Sequence, residues 1–286
     1  GCHTDLWNPF SRNFSSLTDK LCIRDKIAPA RQSSDILGSV LPEITKFTGI
    51  PSNTPVYCGI HDSNASLIPH LLGGHPPFSV VSTGTWVIAM TIGGRSISLD
   101  PQRDTLVNVD AFNNPVPSAR FMGGREFELL LGGIEDTSID YQTLREVAKE
   151  GPMLMPSVVT ESGPFQGRQH VWIGDEPLYG EPQRMAAISY YLAMISSQCL
   201  SLTGHDGPIV VEGPFARNRG YCIMLAAAMQ CKVYAASSTT GTSTGAAMLT
   251  IETDTKLATP ISEEFTYEES DIFFRYAQRW YTALED

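Results

Sequence analysis

Phe78-Ser79-Val80-Val81-Ser82-Thr83-Gly84-Thr85-Trp86-Val87-Ile88-Ala89-Met90 is the stretch on which the fold turns. Residues 78–82 read as a strand, Thr83-Gly84-Thr85 as a tight turn and 86–90 as a second strand, together a β-hairpin. Just upstream, Gly73-Gly74-His75-Pro76-Pro77 is the strongest punctuation in the chain. A domain boundary is expected there, with residues 1–76 in one domain and 77–286 in a second. Downstream, residues 105–118 read as more sheet, Arg125 to Leu131 as a helix, and the Pro- and Gly-rich 151–180 as a surface excursion. Pro182 to Leu202 is the clearest helix, with proline in its first turn and Gly204 past its end. Pro208 to Glu212 is a buried strand, Arg217 to Gln230 a helix, Lys232 to Ala236 a strand, and Gly245 to Thr250 opens a helix. Strands alternating with helices at this spacing predict an α/β class. On the N-terminal side, helices are expected over Ser16 to Lys26, Ser39 to Phe47 and Asn64 to Leu72, the last interrupted at Pro69. Val56 to Ile60 reads as a short buried strand.

Composition narrows the function classes. The 286 residues are 42% hydrophobic and 18% charged, enough apolar mass for a core and too little charge for disorder. Twenty Lys and Arg against 31 Asp and Glu leave a net charge of −11, so the chain has no general attraction for nucleic acid or anionic membrane. No apolar stretch approaches the ~18 residues of a membrane span. Six cysteines, at 2, 22, 58, 199, 222 and 231, form no CxxC pair and no zinc or disulfide spacing. They are expected to be reduced core thiols of a cytoplasmic protein. The chain opens at Gly1 without methionine, inside sequence that reads as ordered, and is expected to be a piece of a longer protein.

Four constellations could carry chemistry. In Gly59-Ile60-His61-Asp62-Ser63-Asn64 a strand ends in glycine and an acid stands at the mouth of a helix. Ligands of open α/β sheets lie beyond the carboxyl ends of strands, where a carboxylate can take a proton from a hydroxyl. Asp62 or Ser63 could equally cap the helix, and the local pattern alone favours the cap. In Ser82-Thr83-Gly84-Thr85, backbone N–H groups and hydroxyls crowd a turn that could hold phosphate oxygens or be an ordinary hairpin turn. Glu212-Gly213-Pro214-Phe215-Ala216-Arg217-Asn218 leads a strand into a helix whose positive end suits an anionic ligand; a purely structural corner fits the spacing as well. Gly241-Thr242-Ser243-Thr244-Gly245 matches the G-x-S-x-G elbow of α/β-hydrolases, but none of the six histidines follows Ser243, so that reading fails on chain order. No P-loop, no G-x-G-x-x-G and no metal-ligand spacing occurs.

Taken in order, Thr4-Asp5, Gly59–Asp62, Ser82–Thr85, Phe121-Met122-Gly123-Gly124, Glu212–Asn218 and Gly245-Ala246-Ala247-Met248-Leu249 resemble the FGGY family of carbohydrate kinases. The resemblance covers the last part of that family's first domain and most of its second. His61-Asp62 and Ser82-Thr83-Gly84-Thr85-Trp86 are most similar to the rhamnulokinase and fuculokinase branch. The resemblance implies the actin-like, ribonuclease H-like ATPase fold, with a mixed sheet flanked by helices. It implies ATP and Mg²⁺ as cofactors and a ketose phosphorylated at a primary hydroxyl, O1, as the reaction. Asp62 falls on the general base and, with His61, on the sugar site. Thr83, Gly84 and Thr85 fall on the phosphate turn, Gly124 and Glu128 on a segment lining the nucleotide, and Gly213, Pro214, Arg217 and Asn218 on the adenine-side loop.

Three positions depart from the family pattern: Glu212 replaces a glycine, Arg217 an asparagine, and the acid before the Gly-Ala-Ala helix is absent near Thr240. These departures motivate a competing expectation, a non-catalytic sugar or nucleotide sensor on the same fold. The implied partners are a small sugar and ATP, with a homodimer left open. The 286 residues alone are expected to be inactive, because phosphoryl transfer needs both walls of a cleft.

Overall fold

A computed structural model describes residues 4–134, 139–237, 241–250, 261–267 and 271–285. The chain divides into two compact units that interleave along the sequence. The first comprises Gly1–Gly74, Val107–Val116 and Thr240–Thr259, the second His75–Leu106, Pro117–Thr239 and Pro260–Asp286.

Seven strands of the described residues form the main sheet. In chain order they are β1 (Phe78–Thr83), β2 (Val87–Ile92), β3 (Thr105–Val109), β4 (Pro115–Phe121), β5 (Ile209–Glu212), β6 (Val233–Ala236) and β7 (Ile261–Phe265). Their order in space is β7-β6-β5-β1-β2-β4-β3. β1 and β2 form the expected antiparallel hairpin, with Thr83 opposite Val87. β5 runs parallel to both β1 and β6, while β7 is antiparallel to β6. The sheet is therefore mixed. Central β1 is buried on both faces, which is why Val80 and Val81 follow one another without polar alternation.

Helix Pro182–Leu202 crosses the core of the second unit and packs on β2 and on helix Arg219–Met229. By length and apolar composition it could cross a membrane, against the expectation that no stretch comes close; 83% of its apolar window is buried inside the protein, as in a core helix. Tyr190 on this helix meets Tyr276 and Phe273 of helix Asp271–Glu285 at ring distances of 5.0 and 6.0 Å. Its hydroxyl donates to the Leu144 carbonyl at 2.6 Å, so the buried polar end is satisfied.

Several boundaries differ from the sequence reading. Residues 151–180 are not wholly a surface excursion: Met153–Met155 pairs with Val171–Ile173, and Met153, Leu154, Met155 and Phe165 are core. Trp280 donates from Nε1 to the Leu154 carbonyl and ties that segment down. In the first unit, residues 16–26 split into Leu17–Lys20 and a 3₁₀ turn at Arg24–Lys26, and residues 36–39 form a strand before helix Pro42–Thr48. The 55–57 strand is largely exposed, and Cys22 and Cys58 are exposed too, whereas Cys199 and Cys222 are core. Burial pushes both core thiols upward in pKa.

Helix Asp62–Gly73 runs through Pro69 without interruption. Proline cannot donate to the carbonyl four residues back, which leaves the Ala65 oxygen without its helical partner. Gly245, in helix Gly241–Met248 of the same unit, approaches that oxygen so closely that a Cβ would collide with it. The glycine thus lets the second helix cover the carbonyl that the proline exposed. The small residues of Gly245-Ala246-Ala247 play the packing role the sequence suggested, within a helix that starts earlier, at Gly241. Thr240 lies outside the described residues.

Candidate functional site

The turn between β1 and β2 is the anchor of the second unit's site. Gly84 donates its N–H to the Trp86 carbonyl at 3.0 Å, closing the turn. Thr83 is buried, and its hydroxyl donates to the Glu212 carbonyl while accepting the Phe215 N–H at 3.1 Å. One side chain thus binds the hairpin to the loop that follows β5. Between those two contacts stands Gly213, with φ +82° and its α-carbon against the Thr83 carbonyl; any Cβ would collide there. Gly124, at the start of helix Gly123–Leu131, lies against the Gly84 carbonyl in the same side-chain-free manner.

Three segments distant in sequence therefore converge. Around them is a cavity of about 570 Å³, within the range of small-molecule sites. Its walls include Gly84, Thr85, Gly124, Glu128, Pro214, Arg217 and Asn218. Thr83 and Gly213 stand behind this wall: they shape it and do not line it. Helices Gly123–Leu131 and Arg219–Met229 both begin at the cavity, bringing the positive ends of two helix dipoles to it. Arg217 is exposed at its edge, adding positive charge that suits an anionic ligand, while Arg219, also exposed, pairs with Glu263 at 3.0 Å.

Sequence reasoning missed Phe127, Ile139, Met185, Phe215, Arg219 and Gly220 as lining residues. The apolar members sit on faces that a sequence cannot tell from core; Met185 is itself almost fully buried. Phe215 lay inside the candidate loop without being singled out, and Arg219 and Gly220 continue that loop into its helix; the other three carried no signal.

Beneath the wall lies a buried acid. Glu126 accepts the Val159 N–H at 3.0 Å and the Tyr191 hydroxyl at 2.9 Å. Burial, opposed by those two hydrogen bonds, raises its pKa to about 7. It joins the helix carrying Gly124 and Glu128 to the core helix carrying Met185.

His61 and Asp62 belong to the first unit. His61 occupies the N-cap position without capping through its side chain, and Asp62 is the first helical residue. Asp62 Oδ1 accepts the Ser63 N–H at 2.6 Å, lies 3.3 Å from Ser63 Oγ and sits 2.8 Å from His61 Nδ1. The Asp62 side chain is 71% exposed, so these local contacts leave most of the carboxylate open to solvent. Among the described residues no group of three or more His, Cys, Asp or Glu side chains could hold a metal ion.

An α/β domain with a nucleotide-sized cavity where a β-hairpin turn, a glycine-led helix and a strand-to-helix loop meet is the frame of a sugar-kinase ATPase domain. The profile of the carbohydrate kinase FGGY C-terminal domain matches residues 75–259, and the chain belongs to the FGGY family of carbohydrate kinases. A carbohydrate kinase from Novosphingobium aromaticivorans superposes with a TM-score of 0.84 at 34% identity, over 99% of this chain and 64% of that one. A ligand-bound xylulose kinase from Lactobacillus acidophilus gives 0.78 at 13% identity, over 98% and 62%. Plasmodium falciparum glycerol kinase with ADP gives 0.73 at 14%, over 98% and 60%. The last two are similar in fold alone. The chain spans less than two thirds of the length of each of these structures. A comparison with the curated proteins finds no match. The fold is the actin-like ATPase fold of the family, as the motif order implied.

Proposed function

We propose that the whole protein is an ATP-dependent ketose kinase that phosphorylates a primary hydroxyl, O1, in the manner of the rhamnulokinase and fuculokinase branch. In this reading residues 1–76 belong with the sugar-binding half and residues 77–286 with the nucleotide-binding half. The observation that carries the proposal is the cavity of the second unit, whose wall gathers Gly84, Thr85, Gly124, Glu128, Pro214, Arg217 and Asn218 from three separate segments. A triphosphate fits the chemistry of this wall: a tight turn carrying Gly84 and Thr85, two helix N-termini and the exposed Arg217. Thr83 and Gly213 act by holding the turn in place.

Asp62 is the general base and, with His61, contacts the sugar. It accepts the proton of the attacking hydroxyl as that oxygen bonds to the γ-phosphorus and the bond to the β-phosphate oxygen breaks. His61 at 2.8 Å orients the carboxylate. Phosphoryl transfer needs little covalent help from a protein, so one base, fixed donors and positive charge are an adequate set. Magnesium would enter with the triphosphate, whose oxygens are its main ligands; the described carboxylates do not form a cage for it. Substrate names among the solved relatives, xylulose, glycerol and gluconate, are all polyhydroxylated and keep a primary alcohol within the acceptor class. The sensor alternative rests on the departures at Glu212, Arg217 and near Thr240 and is not favoured by the match to a family of kinases.

The test is sugar-dependent ADP release by the full-length protein across a panel of ketopentoses and deoxyketohexoses, L-fuculose-type and L-rhamnulose-type ketoses included. Asp62→Asn is expected to lower kcat by about 10²–10⁴-fold with KM little changed. Turnover on no sugar, or full kcat in Asp62→Asn, rejects the reading.

A further inference from the structure

Of the cavity's hydrogen-bonding side chains, the amide is held by the protein itself, Thr85 lies at the hairpin turn and Arg217 is exposed at the rim. Among the described residues Asn218 is the one amide side chain on its wall. Its Oδ1 accepts the Tyr221 N–H at 3.0 Å and caps helix Arg219–Met229; its Nδ2 donates to Ser189 Oγ at 2.9 Å. Ser189 in turn donates to the Met185 carbonyl at 2.8 Å, so the arrangement of the amide is held from both sides. The charged members of the wall are solvent-facing. Glu128 pairs with Arg125 at 3.3 Å, Arg219 with Glu263 at 3.0 Å, and Arg217 is exposed. The firm part of the wall is apolar: Phe127, Ile139, Met185, Pro214 and Phe215, with Phe127 and Phe215 meeting edge to face at 5.6 Å.

A site rejects a wrong hydrogen-bonding pattern strongly only when its own buried polar groups would be left unpaired; an apolar pocket cannot. We infer that this cavity takes the purine by shape and apolar contact without reading its 6-position, so that 6-oxo purine nucleotides bind nearly as well as adenine nucleotides. The inference rests on the nucleotide reading of the cavity given above.

Displacement of a fluorescent ADP analogue from the full-length protein by ADP, GDP and IDP tests it. The three dissociation constants are expected within about tenfold of one another, against the 10⁴–10⁵-fold of sites built to hydrogen-bond their ligand. Asn218→Ser, which keeps an N-cap oxygen, is expected to leave the ADP:GDP ratio unchanged. Phe127→Ala is expected to weaken all three nucleotides together. An ADP preference beyond about tenfold, or a ratio that shifts in Asn218→Ser, overturns the inference and leaves the kinase reading standing. Failure of every nucleotide to bind overturns both.

Discussion

Gly213 shows how a single missing side chain positions a site. Its φ of +82° and its contact with the Thr83 carbonyl leave no room for a Cβ. Gly213→Ala is expected to destabilise the protein by about 1–3 kcal/mol through backbone strain alone and to weaken nucleotide binding further by moving Pro214. Unchanged denaturant midpoints and ADP affinity would contradict it. Glu126 sets a pH dependence. Its folded pKa of about 7 lies above the ordinary glutamate value, so the native state holds the proton more firmly than the unfolded chain does. Its contribution to stability is therefore greatest below about pH 4.5 and is lost as pH rises to about 7, a change of about 3 kcal/mol. Glu126→Gln keeps the shape and the acceptor for Val159 without the charge. It should raise the melting temperature at pH 8 and flatten the profile between pH 5 and 7. A variant less stable than the parent at pH 8, with the slope retained, would disprove this. His205 acts in the opposite direction: desolvation lowers its pKa to about 4, so what it contributes above pH 6.5 is lost as pH falls toward 4.

At the scale of elements, the pairing of helices Asp62–Gly73 and Gly241–Met248 decides where the helix bearing Asp62 stands in the first unit. Pro69 and Gly245 are complementary: one frees the Ala65 carbonyl and the other covers it. Gly245→Val would drive the helices apart and should cost about 1–3 kcal/mol by overpacking, read as a lower unfolding midpoint. A midpoint at or above that of the parent would show that the two helices do not depend on that contact. The sequence announced the small residues but not their partner. Proline inside a helix reads as a break when only the chain is in view, because its effect depends on what stands opposite the freed carbonyl. The large elements of the second unit were easier. Helix 182–202 and strands 78–83 and 209–212 lay within one residue of their expected limits, since a continuous apolar run bounded by Pro and Gly has few alternatives.

At the scale of the whole molecule, several large apolar side chains of the first unit face solvent. Leu37, Leu41 and Ile44 are exposed, and Phe47 is 90% exposed. Residues 1–286 alone are expected to bind a hydrophobic dye such as ANS through these side chains, and to give negligible phosphoryl transfer because that reaction needs both walls of a cleft. Sugar-dependent ADP release by the 286-residue chain alone would refute this. What the sequence determined by itself is the α/β class, the order of the motifs and hence the family, because strand–turn–helix chemistry is written locally in Gly, Pro and apolar runs. Only the tertiary structure decided which residues form the wall of the cavity and which stand behind it. Thr83 and Gly213 shape the site from behind, and Phe127 and Met185 line it, because these roles depend on which atoms meet across the fold, and sequence spacing carries no record of that.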